Sequence, residues 1–68
     1  MIIHVNGKPR EVVAPVRLLD VLDLPEGATT PRGIAVAVDG QVIPRSQHAN
    51  TELREGARVE IVTAVQGG

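Results

Sequence analysis

The 68-residue sequence has no cysteine and no Phe, Trp or Tyr. Without cysteine there is no disulfide framework, no thiolate metal site and no catalytic thiol. Without aromatic rings there is no platform for stacking bases. With 7 Lys plus Arg against 8 Asp plus Glu, a net charge of −1, there is also no basic stripe to displace counterions. Both absences argue against nucleic acid as a partner. Long hydrophobic runs are missing as well: the longest, Ile34 to Val38, is far shorter than the roughly 20 residues needed to cross a bilayer. Met1-Ile2-Ile3-His4-Val5 meets the turn dipeptide Asn6-Gly7 at once, too early for the apolar core of a signal peptide. A soluble, cytoplasmic protein without a membrane partner is expected.

What is present suits a small sheet. Of 29 apolar residues, 16 are Val or Ile, side chains that pack well on a pleated surface. The length allows one domain of modest stability. Met1 to Val5 reads as a strand with Met1, Ile3 and Val5 on one face, and Asn6-Gly7 is a type I′ hairpin signal. Arg10 to Val13 is the expected return strand, placed at a sheet edge by Pro9. From Val16 to Leu24 the apolar spacing becomes helical (Leu18, Val21, Leu22), with Pro15 in the first turn and Pro25 as the stop. Pro25 to Gly33 reads as a loop. Ile34 to Val38 is apolar on both faces, as in a central strand, and Asp39-Gly40 turns it into Gln41-Val42-Ile43. Arg45 to Glu55 is an irregular polar connection whose Leu53 plugs the core. Arg58 to Val65 is the final strand, with Val59, Ile61, Thr63 and Val65 on one face.

This order predicts an α+β, ubiquitin-like β-grasp domain: a four- to five-stranded mixed sheet packed on one helix, with the first and last strands parallel at its centre. Residues 1–65 form the single domain and residues 66–68 a flexible C-terminal Gly-Gly tail. Glycine gives the tail its smallest cross-section and free choice of φ, suited to threading into another protein's active site. The only terminal chemistry is then the α-carboxylate of Gly68.

Other candidate sites are weaker. Ser46, His48 and Asp39 lack a pocket to make a triad, so no enzymatic activity is expected. His4 and His48 lack further donors for a metal and read as solvated surface residues, His48 on a solvent-facing turn. Glu52 with Glu55, and Asp20 with Asp23, read as solvating charge. Arg45 and Arg54 read equally as ordinary solvated charge or as groups that steer an acidic partner surface.

The stretches Ala35-Val36-Ala37-Val38-Asp39-Gly40-Gln41-Val42-Ile43-Pro44-Arg45 and Leu53 through Glu60-Ile61-Val62-Thr63-Ala64-Val65-Gln66-Gly67-Gly68 resemble the hallmark segments of the ThiS family, the sulfur carrier proteins of thiamine biosynthesis. Many members of that family carry an aromatic residue where His48 stands and an acidic one where Ala57 stands. The resemblance implies a protein cosubstrate that is not itself an enzyme. Its terminal carboxylate, here that of Gly68, is adenylated by a ThiF-like adenylyltransferase. Sulfur relayed from a cysteine desulfurase then converts it to a thiocarboxylate, which a ThiG-like thiazole synthase consumes. It also implies that Gly67, Gln66 and Val65 lie in the partner's groove. No cofactor is expected on the carrier, ATP being consumed by the activating partner. The small subunit of molybdopterin synthase shares the tail and its chemistry but resembles Phe-Pro-Pro-Val where this chain has Val62-Thr63-Ala64-Val65. Another Gly-Gly sulfur carrier, serving cysteine or other sulfur metabolites, and then a ubiquitin-like modifier are further alternatives; Lys8 is the only lysine on which such a modifier could build chains on itself.

Overall fold

Two Asx-Gly dipeptides frame the fold. Asn6 and Gly7 have φ of 51° and 82°, and Asp39 and Gly40 have 51° and 85°, the paired left-handed residues of type I′ turns. In the computed structural model, which describes residues 1–63, the first turn joins β1 (Ile2–Val5) to β2 (Lys8–Glu11). The second joins β3 (Ile34–Val38) to β4 (Gln41–Ile43). β5 (Arg58–Thr63) lies between the hairpins, parallel to β1 and antiparallel to β3, in the order β2-β1-β5-β3-β4. This is the expected mixed β-grasp sheet, with five strands.

β2 begins two residues earlier than the expected Arg10, because a two-residue turn returns the chain to the ladder at once. Val5 pairs with Lys8 next to the turn, so the following pair, His4 with Pro9, is a non-hydrogen-bonded one. The nitrogen of Pro9 therefore points away from β1, and on an edge strand its missing N–H removes no ladder bond.

The expected helix from Val16 to Leu24 is a single 3₁₀ turn, Leu18–Leu22. The segment before it is committed elsewhere: Arg17 bridges Glu52, Leu53 N–H donates to the Val16 carbonyl, and Leu18 N–H donates to Thr51. At the other end Asp23 is left-handed (φ 56°), and Pro25 disfavours helix at Leu24. Residues three apart eclipse in a 3₁₀ turn, which is why Leu18 and Val21 are both buried. The spacing that suggested an α-helix suits this shorter element as well.

The core is Ile3, Val16, Leu18, Val21, Val36, Leu53, Ala57 and Val59, with Met1, Val5, Val12, Leu22, Ile34, Val38, Ile43 and Ile61 partly buried around it. Leu53 fills the core from the connecting segment as expected. Of the four carboxylates read as solvating charge, Glu52 is exposed as expected and the other three have structural partners. Asp20 Oδ2 accepts from Arg17 N–H (2.9 Å), and Glu55 Oε2 accepts from Ile2 N–H (3.1 Å). Asp23 forms a two-pronged pair with Arg10 (3.0 and 3.3 Å). Arg10 also donates to the Val21 carbonyl, tying β2 to the end of the 3₁₀ turn.

The largest correction concerns His48. Expected on a solvent-facing turn, it is 1% exposed, among the largest fully buried side chains. Its Nε2 lies 2.9 Å from the Ile43 carbonyl and its Nδ1 2.6 Å from Thr30 Oγ1. A carbonyl can only accept, so Nε2 carries the proton, and in the neutral ring Nδ1 accepts from the Thr30 hydroxyl. The His48 carbonyl also accepts from Leu19 N–H. One residue thus fastens the Pro25 to Gly33 loop, the end of β4 and the 3₁₀ turn together. His4, also expected to be solvated, is half-buried on β1, and its Nδ1 is shielded from water with no partner among the described residues.

Thr30→Val keeps the volume but leaves the buried Nδ1 without a donor, an expected loss of about 1–3 kcal/mol. Each kcal/mol should lower the midpoint of a far-ultraviolet circular dichroism melt by about 4–8 °C in a domain of this size. An unchanged melt would show that this bond adds nothing to stability.

Candidate functional site: the strand leading to the C-terminal residues

The residues expected to carry the chemistry, Gly68, Gly67, Gln66 and Val65, lie outside the described residues. So does the expected boundary between residues 65 and 66. What the structure shows is the platform before them. β5 is paired along both edges: His4 with Arg58 and Val5 with Val59 on one side, and Val38 with Val59 through Ile34 with Thr63 on the other. Pairing with β3 therefore continues to Thr63, where the description ends.

Both hairpin turns add side-chain bonds to this strand. Asn6 N–H donates to the Val59 carbonyl (2.8 Å), and Asn6 Oδ1 accepts from Ile61 N–H (2.7 Å). In a continuing parallel ladder the next acceptor for Ile61 would be the main-chain carbonyl of residue 6. The turn carries that carbonyl away, and the side-chain amide oxygen takes its place. On the other edge, Asp39 N–H donates to the Arg58 carbonyl (2.8 Å) while Asp39 Oδ1 accepts from Arg58 N–H (2.9 Å). In the sequence Asn6 and Asp39 stood out as turn formers, not as partners of the last strand. The available signal was that both turns begin with a side chain able to accept a hydrogen bond, which Gly-Gly would lack.

Alternation puts Val59 and Ile61 toward the core and Arg58, Glu60 and Val62 outward. Val62 faces Ala35 across the ladder and Ala37 faces Val42. Beside the small alanines, Val62 and Val42 are 58% and 68% exposed. β3 is central in the sheet, as its two apolar faces suggested, but its second face is partly open, with Ala35 exposed and Ala37 half-buried. Arg45 lies beyond β4 at the end of the sheet where β5 finishes, whereas Arg54 precedes β5 at its other end. Ser46 is exposed while His48 is buried and bonded to Thr30, so these two residues are not set up as nucleophile and base. Among the described residues no group of three or more His, Asp or Glu could hold a metal ion. No described helix is long and apolar enough to cross a membrane.

A five-stranded mixed sheet in this order, closed over a short helical turn and ending on its central strand, is a ubiquitin-like β-grasp domain. Within that class the chain belongs to the ThiS family, whose sequence model matches residues 3–68. The crystal structure of the thiamine biosynthesis protein (ThiS) from Geobacter metallireducens is similar over 100% of both chains, with a TM-score of 0.75 and 26% identity. No curated protein matches the sequence.

Asn6→Gly preserves the left-handed turn but removes the bond to Ile61. It should lower stability by about 0.5–1.5 kcal/mol and speed hydrogen exchange at the Ile61 amide relative to Val59. Equal exchange in variant and parent would show that the side chain does not hold the strand.

Proposed function

We propose that this chain is a sulfur carrier of thiamine biosynthesis whose reacting group is the Gly68 carboxylate. The observation that carries the reading is the placement of β5. A strand paired on both edges and pinned by Asn6 and Asp39 leads toward the last residues, with Thr63 five positions before Gly68. The family match, which extends through Gly68, supports it.

A carboxylate is a poor electrophile, so the chemistry begins in a partner. A ThiF-like adenylyltransferase uses ATP to join a Gly68 oxygen to AMP, releasing pyrophosphate. The mixed anhydride then has a good leaving group: a persulfide charged by a cysteine desulfurase displaces AMP to give an acyl disulfide, and a thiol cleaves its S–S bond, leaving the thiocarboxylate on the carrier and a disulfide on the sulfur donor. A ThiG-like thiazole synthase takes that sulfur for the thiazole ring. The carrier supplies no catalytic group. It presents a slender end, and Gly67 beside Gly68 lets the partner's groups approach the terminal carbonyl without meeting a Cβ. Val65 and Gln66 fill the groove before it. Sulfur rides on the terminal carbonyl carbon, so the scheme works in a chain without cysteine.

Incubating the chain with the activating enzyme, ATP and a sulfur donor should raise its intact mass by about 16 Da, sulfur for oxygen, and fragmentation should place the gain on Gly68. Covalent attachment to other proteins without that gain would favour a ubiquitin-like modifier. Deleting Gly68 should abolish pyrophosphate release while leaving the circular dichroism melt unchanged; continued activation of the shortened chain would refute the assignment. Gly67→Val should sharply slow activation with the fold intact, and unaffected turnover would remove the steric argument for glycine.

A further inference from the structure

The end of the sheet where β5 finishes carries two uncommitted guanidinium groups. Thr63 pairs with Ile34, and Arg32 stands two residues before Ile34. β4 ends at Ile43, and Arg45 stands two residues beyond it. Arg32 and Arg45 are both exposed and line one open depression of about 490 Å³ together with Pro31, Gly33 and Ile34. Among the described residues neither makes an ion pair or a side-chain hydrogen bond, whereas Arg10 is held by Asp23. Two like charges sharing a hollow repel each other and are relieved by a common anionic partner. Their planar forks suit carboxylates in particular. Exposed Val62 and Val42 lie on the adjoining outer face of β5 and β4. The arginines therefore form a polar rim beside open apolar ground, the usual layout of a protein docking surface.

We propose that Arg32 and Arg45 dock against Asp and Glu side chains that rim the tail-accepting site of the activating enzyme. This rests on the reading of Gly68 as the activated residue. The five residues from Thr63 to Gly68 reach at most about 17 Å when fully extended. The arginines thus meet the outer wall of the partner's site while the carboxylate passes inside. They bind and orient the carrier without touching the reacting atoms, so their effect falls on KM and leaves kcat alone.

The test uses the full chain, with pyrophosphate release measured against carrier concentration at about 50 and about 400 mM salt. Arg32→Glu combined with Arg45→Glu should raise KM about tenfold or more with kcat within about twofold. The parent's KM should rise with salt and the double variant's should not. Arg54→Glu changes charge equally per site at the far end of β5 and should leave KM unchanged. A matching circular dichroism melt shows that each variant is folded. An unchanged KM in the double variant, or an equal rise from Arg54→Glu, overturns the docking element while leaving the reading of Gly68 in place. No pyrophosphate release from the parent chain overturns both.

Discussion

Two hairpins that share no direct strand pairing become one sheet through β5. In the order β2-β1-β5-β3-β4, removing β5 leaves a pair of two-stranded ribbons, each marginal in water by itself. The seam is reinforced at both turns, where Asn6 and Asp39 use side-chain oxygens to bind N–H groups of β5. The strand on which the whole domain depends is also the one that leads to the C-terminal residues. Loosening β5 would therefore unfold the domain, so whatever follows Thr63 starts from a base as firm as the sheet itself.

The second constraint is the lack of aromatic side chains. A core of Val, Ile, Leu and Ala must fill space with small pieces, and 68 residues leave little of it to fill. The one buried ring among the described residues is the imidazole of His48. A polar ring in such a place is tolerable only if both nitrogens are satisfied. Thr30 and the Ile43 carbonyl do that. The arrangement has a structural by-product: a loop of Pro, Gly and Thr that offers almost no apolar anchor is held through the hydroxyl of Thr30. Volume and hydrogen bonding are supplied by the same side chain.

The features readable in the sequence were those set by local chemistry. Asn6-Gly7 and Asp39-Gly40 specify turns, the turns specify hairpin register, and period-two patterning puts Ile3 and Val59 on the core-facing rows. Parallel pairing of the first and last strands followed from element order. Most of the misreadings share a cause, a contact between segments far apart in the chain. The 3₁₀ turn is short because residues 16–18 are bonded to residues 51–53, which no periodicity in Val16 to Leu24 records. His48 is buried because Thr30 and Ile43 receive it, and a lone histidine in a polar stretch carries no mark of that. Asp23 and Glu55 resembled solvating charge because their partners lie at Arg10 and Ile2, whereas Asp20 binds the nearby Arg17 N–H. The reacting end was legible only as composition and family likeness, and the structure contributes its base, β5.

The arginines divide along the same lines. Arg10 reaches across the underside of the sheet to Asp23 and the Val21 carbonyl. These bonds help hold the 3₁₀ turn against the sheet, although a half-exposed pair such as Arg10 with Asp23 contributes only about 0–1 kcal/mol. Arg32 and Arg45 serve no such contact among the described residues, and they stand where the fold has already placed the end of its central strand. A small domain has few charges to distribute: with seven cationic side chains against eight anionic ones, any local excess must be created by geometry. Here the geometry is the antiparallel register of β3 on β5, which brings the start of one strand, the end of another and these two cations to a single end of the sheet. A one-residue slip in that register would turn the core-facing row of β5 outward. It would also move the strand end away from the arginines, so packing and the proposed docking element are fixed by the same pairing.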